Sequence, residues 1–172
     1  MIPLRQKKGE LTDVLIWMLT IFILGIGLFI IAFVVPNITS GLRTAGLNNS
    51  AEGTSAINSL EHISVSTINN GFLMLFVGLI IGVIISSFLI RTHPIFIFLY
   101  IFFLAISILL SFYLGNVYET MSQMSVFSET YSQMNFINLV MGHIAGITLA
   151  VGAISMIIIF AKFSTFGGSQ PL

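Results

Sequence analysis

Residues 72–114 read FLMLFVGLIIGVIISSFLI (72–90), RTHP (91–94) and IFIFLYIFFLAISILLSFYL (95–114). Two apolar runs of 19 and 20 residues, neither containing Asp, Glu, Lys or Arg, flank a short polar connection. A helix rises about 1.5 Å per residue and the hydrocarbon core of a bilayer is about 30 Å thick, so each run is long enough to cross it. Proline at the first helical position costs no hydrogen bond, which suits Pro94 to open the second helix directly after a turn at Thr92-His93. The pair is expected to form an antiparallel hairpin of membrane-spanning helices.

Outward from this hairpin, residues 14–35 and 136–161 repeat the pattern, with 22 and 26 residues and again no Asp, Glu, Lys or Arg. The expected fold class is an all-α integral membrane protein with four transmembrane helices in a single domain, 1–172. Its outer loops are 36–71 and 115–135. The first apolar run is longer than the roughly 7 to 15 residues of a signal-peptide core and is expected to stay as an anchor. Pro36 is expected to end it, and Asn69-Asn70-Gly71 to precede the second span. Trp17 and Tyr113 suit the membrane interfaces, and the Phe-rich run from Ile95 reads as a lipid-facing or packing surface.

Charge placement sets the orientation, because Lys and Arg near span ends are retained on the cytoplasmic side. Arg5, Lys7, Lys8, Arg91 and Lys162 fall on one side of a four-span chain, and Arg43 with Glu52, Glu61, Glu119 and Glu129 on the other. Both termini are therefore expected on the inner, cytoplasmic side.

The composition narrows the function classes. The mean hydropathy is +1.06, only 7% of residues are charged, and six Lys and Arg balance six Asp and Glu. No basic excess is available for nucleic acid. Cysteine is absent, which removes thiol nucleophiles and Cys-ligated metals. No nucleophile elbow, zincin motif or phosphate loop occurs, so no enzyme activity and no cofactor is expected. Glu61-His62 supplies two adjacent ligand types without the spacing of a metal site.

Three groups of residues carry functional expectations. His143 lies seven residues into the fourth span with Asn138 five residues earlier, and an ionisable group at membrane depth is a functional candidate. The alternative for His143 is a neutral imidazole bonded to a neighbouring helix. Gly78, Gly82 and Ser86, and likewise Gly142, Gly146 and Ala150, recur at four-residue steps that allow close helix approach. These faces are expected to meet within the chain, with a homo-oligomer as the alternative. In the outer loops, Ile57, Leu60, Ile63 and Ile68 recur at helical intervals and suggest a short amphipathic helix. Val117, Met121, Met124, Tyr131 and Met134 either cover their own bundle or form an adaptable surface for another protein.

The run 93–119, HPIFIFLYIFFLAISILLSFYLGNVYE, covers about a sixth of the chain and resembles segments of small multispanning virion membrane proteins, including those of tailless icosahedral bacteriophages that carry an internal membrane. Asn116-Val117-Tyr118-Glu119 is its most distinctive piece. The resemblance implies a virion membrane protein beneath a capsid, touching it through outward loops, with no catalytic residues to transfer. The leading expectation is a structural or assembly protein in a virion membrane or host inner membrane, whose partners are the lipid bilayer and capsid or membrane-complex subunits. The alternative is a holin-like channel in which several copies set Asn138, His143 and Thr148 around a pore.

Overall fold

The computed structural model describes residues 12–62, 65–90 and 94–166. Among these residues the chain is helical, with α1 (Asp13–Thr44), α2 (Ala51–Glu61), α3 (Val65–Leu89), α4 (Pro94–Ser122), α5 (Ser128–Gln133), α6 (Asn135–Gly142) and α7 (Ile144–Phe166). Short 3-10 turns at Leu47–Asn49 and Ser125–Phe127 precede α2 and α5. Four segments are long and apolar enough to cross a membrane: Asp13–Thr44, Val65–Leu89, Ile97–Ser122 and Ile144–Lys162. The four-span reading is therefore met, and α4 begins at Pro94 as its sequence requires. Arg5, Lys7, Lys8, Ile63, Arg91 and the Thr92-His93 turn lie outside the described residues.

Three boundaries differ from the sequence reading. Pro36 does not end the first helix, which continues for eight residues to Thr44. Proline removes only its own N–H and crowds the carbonyl four residues earlier. The neighbouring turn is held by side chains, with Asn37 Nδ2 donating to Phe33 O at 2.7 Å and Thr39 Oγ1 to Pro36 O at 2.9 Å. Asn69-Asn70-Gly71 lies inside α3 instead of preceding it. The fourth apolar run is interrupted, since α6 stops at Gly142 and His143 adopts φ −116° and ψ 17° before α7 starts. His143 thus borders the spanning helix instead of lying seven residues within it.

The described residues form two compact units, one drawn from those within Met1–Thr20, Val77–Leu114 and Ile144–Leu172, the other from those within Ile21–Phe76 and Gly115–His143. In the first, Val14, Trp17, Met18, Val83, Tyr100, Leu104 and Val151 form the core. Trp17 is buried there against protein. Facing outward are Ile81, Ile85, Phe98, Phe102, Leu109 and Ile157, with Phe98, Phe102 and Leu109 of α4 among the most exposed, as lipid-contacting helices require. The phenylalanine run thus splits by helical phase: Phe98 and Phe102 point out, while Tyr100 and Leu104 point in.

Hydroxyls join the helices of this unit. Ser111 Oγ donates to Thr148 Oγ1 and Tyr100 Oη to Gly152 O, each at 3.0 Å, tying α4 to α7. Ser111, Thr148 and Ser107 are fully buried. Such bonds between membrane helices contribute about 0.6 to 2 kcal/mol each. At the C-terminal end of α3, Lys162 Nζ donates to Phe88 O at 2.8 Å and Ile90 O at 3.0 Å. A cation there satisfies carbonyls left without helical donors and complements the helix dipole. Ser86 donates to the Asp13 carboxylate, so the first turn of α1 and the last part of α7 are fastened to the same end of α3.

The small-residue faces do not pack within the chain. Gly78, Gly82, Gly142, Gly146 and Ala150 are exposed, and a Cβ on any of the four glycines would meet nothing within 4 Å. Ser86 uses its hydroxyl on Asp13 instead. The reason is helical phase. In α3 the buried stripe is Ile68, Phe72, Val83 and Ser87, with Val83 and Ser87 one residue beyond Gly82 and Ser86 and hence about 100° around the helix. In α7 the buried stripe runs through Ile144, Thr148, Val151, Ser155 and Ile159, and Gly146 lies on the opposite side. Close approach occurs at Gly152, where a Cβ would stand 2.1 Å from Leu104 Cδ1. Gly82→Leu and Gly146→Leu are accordingly expected to change monomer stability by under about 0.5 kcal/mol, and Gly152→Ala to lower it by about 1 kcal/mol as Leu104 shifts. Denaturant unfolding in detergent checks this ordering, and equal losses for all three would reject the assigned phase.

Candidate functional site

The second unit is built on aromatic packing. Phe29 is buried, with Tyr118 edge-on at 5.6 Å and Phe127 tilted at 5.6 Å, and Phe33 meets Phe127 at 4.8 Å. Phe72, Phe76 and Phe136 form a second cluster with centroids 5.7 to 6.3 Å apart. Edge-to-face pairs at these distances add about 0.5 to 1.5 kcal/mol beyond the area they bury.

Polar side chains then lock the helices. Asn138 Oδ1 accepts from the buried Tyr118 hydroxyl at 2.5 Å, and its Nδ2 donates to Tyr131 O, so one side chain links α4, α5 and α6. Asn69 Oδ1 in α3 accepts from the N–H groups of Phe136 and Ile137 at 3.1 and 3.2 Å. These are amides at the start of α6 that lack intrahelical partners, so Asn69 caps a helix from another one. No local motif announces this, because the capping residue is 67 positions away in sequence.

The predicted first-loop helix exists as α2, capped by Ser50, whose Oγ accepts from Gly53 N at 3.0 Å. Its apolar side faces protein: Ile57 is buried, Leu60 half-buried, and Ile68 is buried on α3. Arg43 Nη2 pairs with Glu61 Oε1 at 2.6 Å, which joins the end of α1 to the end of α2. That pairing engages the carboxylate of the Glu61-His62 pair. Among the described residues, no three His, Asp or Glu side chains come together as metal ligands.

The candidate functional side chains fall into distinct environments. His143 is exposed, and its Nδ1 lies 3.0 Å from Leu139 O of the preceding helix turn, not on a neighbouring helix. A carbonyl only accepts, so Nδ1 carries the proton in this contact. Asn138 is held in the network above, and Thr148 is buried against Ser111. Of the five contact candidates, Val117, Met124 and Tyr131 are exposed, Met121 is half-buried, and Met134 is fully buried. Met134 is therefore a core residue: it sits between α5 and α6, where the chain turns inward. Val126, unremarked in the sequence, is 64% exposed on the 3-10 turn between Met124 and Tyr131. A single valine among Ser and Phe has no periodicity to reveal it. Comparison of the chain with protein-family models, with curated proteins and with solved structures finds no match.

Proposed function

We propose that this protein is a structural or assembly subunit of a larger membrane complex, anchored by four spans with both termini on the cytoplasmic side. Its contact surface for a protein partner comprises Val117, Met124, Val126 and Tyr131. The observation that carries this reading is the exposure of these four apolar side chains on a segment where Tyr118 and Met134 are buried and Met121 and Phe127 half-buried. Apolar and aromatic residues grouped at the surface are the composition of interface cores. Within the spans, Tyr100, Ser107, Ser111 and Thr148 spend their hydroxyls on helix contacts, which suits a scaffold better than a solute path. The sequence resemblance supports a virion membrane beneath a capsid as the setting, with capsid proteins as the partner. A second reading, an oligomeric channel, draws on the exposed His143 ring at the interruption between α6 and α7.

Two variants separate these readings. In an assembly subunit, Val126→Glu prevents stoichiometric recovery of the protein with its native complex, and His143→Leu does not. In a channel, His143→Leu changes conductance or its pH dependence in a planar bilayer, and Val126→Glu is silent. pH-dependent conductance that disappears in His143→Leu would replace the structural reading.

A further inference from the structure

The second unit contains a cavity of about 400 Å³ whose polar lining is Asn37, Ser40, Glu129, Thr130 and Gln133. We propose that it binds a primary ammonium group on a short organic stem, as found in the ethanolamine head group of a membrane lipid.

The lining is rich in acceptors and contains no Lys, Arg or His. Pro36 lies on its wall and has no N–H, so the carbonyl of Ala32, another lining residue, lacks its usual helical donor. Asn37 spends its Nδ2 on Phe33 O and keeps Oδ1 as an acceptor. The Glu129 carboxylate forms no ion pair or hydrogen bond among the described residues, whereas the Glu61 carboxylate is neutralised by Arg43. Thr130 gives a second, independent observation. It is only 9% exposed, lines the cavity, and its hydroxyl has no hydrogen-bond partner among the described residues.

Ligand size and chemistry follow from the walls. A metal ion is a poor match, since no three His, Asp or Glu converge among the described residues and the volume far exceeds the roughly 30 Å³ share of one water. Phe33, Val65 and Val126 supply apolar wall for methylene groups. An ammonium carrying N–H bonds satisfies the carboxylate, the hydroxyl and an amide oxygen together, which a quaternary ammonium cannot. Depth favours a lipid as the source. Pro36 is 23 residues after Asp13 along one helix, a rise of about 35 Å against about 30 Å of hydrocarbon, which is head-group level. The inference requires the membrane placement and not the assembly role.

The test uses the full-length protein in nanodiscs of equal parts phosphatidylethanolamine, phosphatidylcholine and phosphatidylglycerol, released into native mass spectrometry. Phosphatidylethanolamine is expected to be retained about tenfold over phosphatidylcholine. Glu129→Gln should abolish that preference, and Thr130→Val should reduce it severalfold, with melting temperatures unchanged. A parallel titration with free ethanolamine separates the sources. Lipid retention assigns a membrane ligand, and saturable, Glu129-dependent binding of ethanolamine without lipid retention assigns a soluble amine; both support the ammonium site. Equal retention of the three lipids together with no ethanolamine binding, or a preference unchanged in Glu129→Gln, overturns it.

Discussion

Asn138→Leu is expected to destabilise the protein by about 1 to 3 kcal/mol, from the buried Tyr118 hydroxyl losing its acceptor. Leucine has the branching and heavy-atom count of asparagine, so the substitution removes hydrogen bonds without opening a cavity. The Tyr118 hydroxyl would be left without its acceptor in a site where the whole residue is 1% exposed, and the Tyr131 carbonyl without its donor. Tyr118→Phe alone removes the donor with its need and is expected to cost less. In the double variant the two losses should not add, because both act on the same bond. Chemical unfolding in detergent followed by circular dichroism measures each. A loss under about 0.5 kcal/mol for Asn138→Leu would remove Asn138 from its assigned role and return it to the list of pore candidates.

Gly53→Ala is the second large effect. A Cβ at this position would stand 1.9 Å from the Leu47 carbonyl oxygen and 2.8 Å from Ser50 Oγ. The first of these is backbone within the 3-10 turn and cannot swing aside like the end of a leucine or methionine chain. The second is the cap that receives the Gly53 N–H. One methyl group therefore displaces both the turn and the cap of α2, and with them the seat of Ile57. The combined cost is expected near 3 kcal/mol, against about 1 kcal/mol for Ser50→Ala, which removes the cap without the clash. Amide hydrogen exchange should show the difference as lost protection confined to α2. Unchanged protection in Gly53→Ala would mean that the turn is not fixed as described.

What could be foreseen from the residues was whatever hydrophobic length and local backbone chemistry decide. Four uncharged runs had to become spanning helices, and Pro94 had to sit at a helix start, since neither depends on anything distant. Helix phase was not foreseeable in the same way. In lipid, Gly78 and Gly82 read alike whether they face a neighbour or the bilayer, and only the placement of Val83 and Ser87 on the inner side decides between them. Pro36 was read as a stop because its local cost is real; the bonds from Asn37 and Thr39 hold the helix across it. Of the candidate site residues, Asn138 stood out in the sequence by its place in an apolar run. Its polarity was visible, but its partners Tyr118 and Tyr131 meet it only after the chain has folded back.

The cap that Asn69 places on α6 also imposes an order in time. The acceptor is made 67 residues before the first amide it will hold, an interval of roughly 3 to 13 s at ordinary rates of protein synthesis. Throughout that interval Asn69 is without the partners it has in the folded chain. The start of α6 cannot be completed by its own neighbours, and it acquires its cap only once α3 is already in place. Completion of the last apolar segment is thus conditional on correct insertion of the second, so a chain whose first hairpin has entered the membrane wrongly emerges from the ribosome with an uncapped helix exposed to quality control.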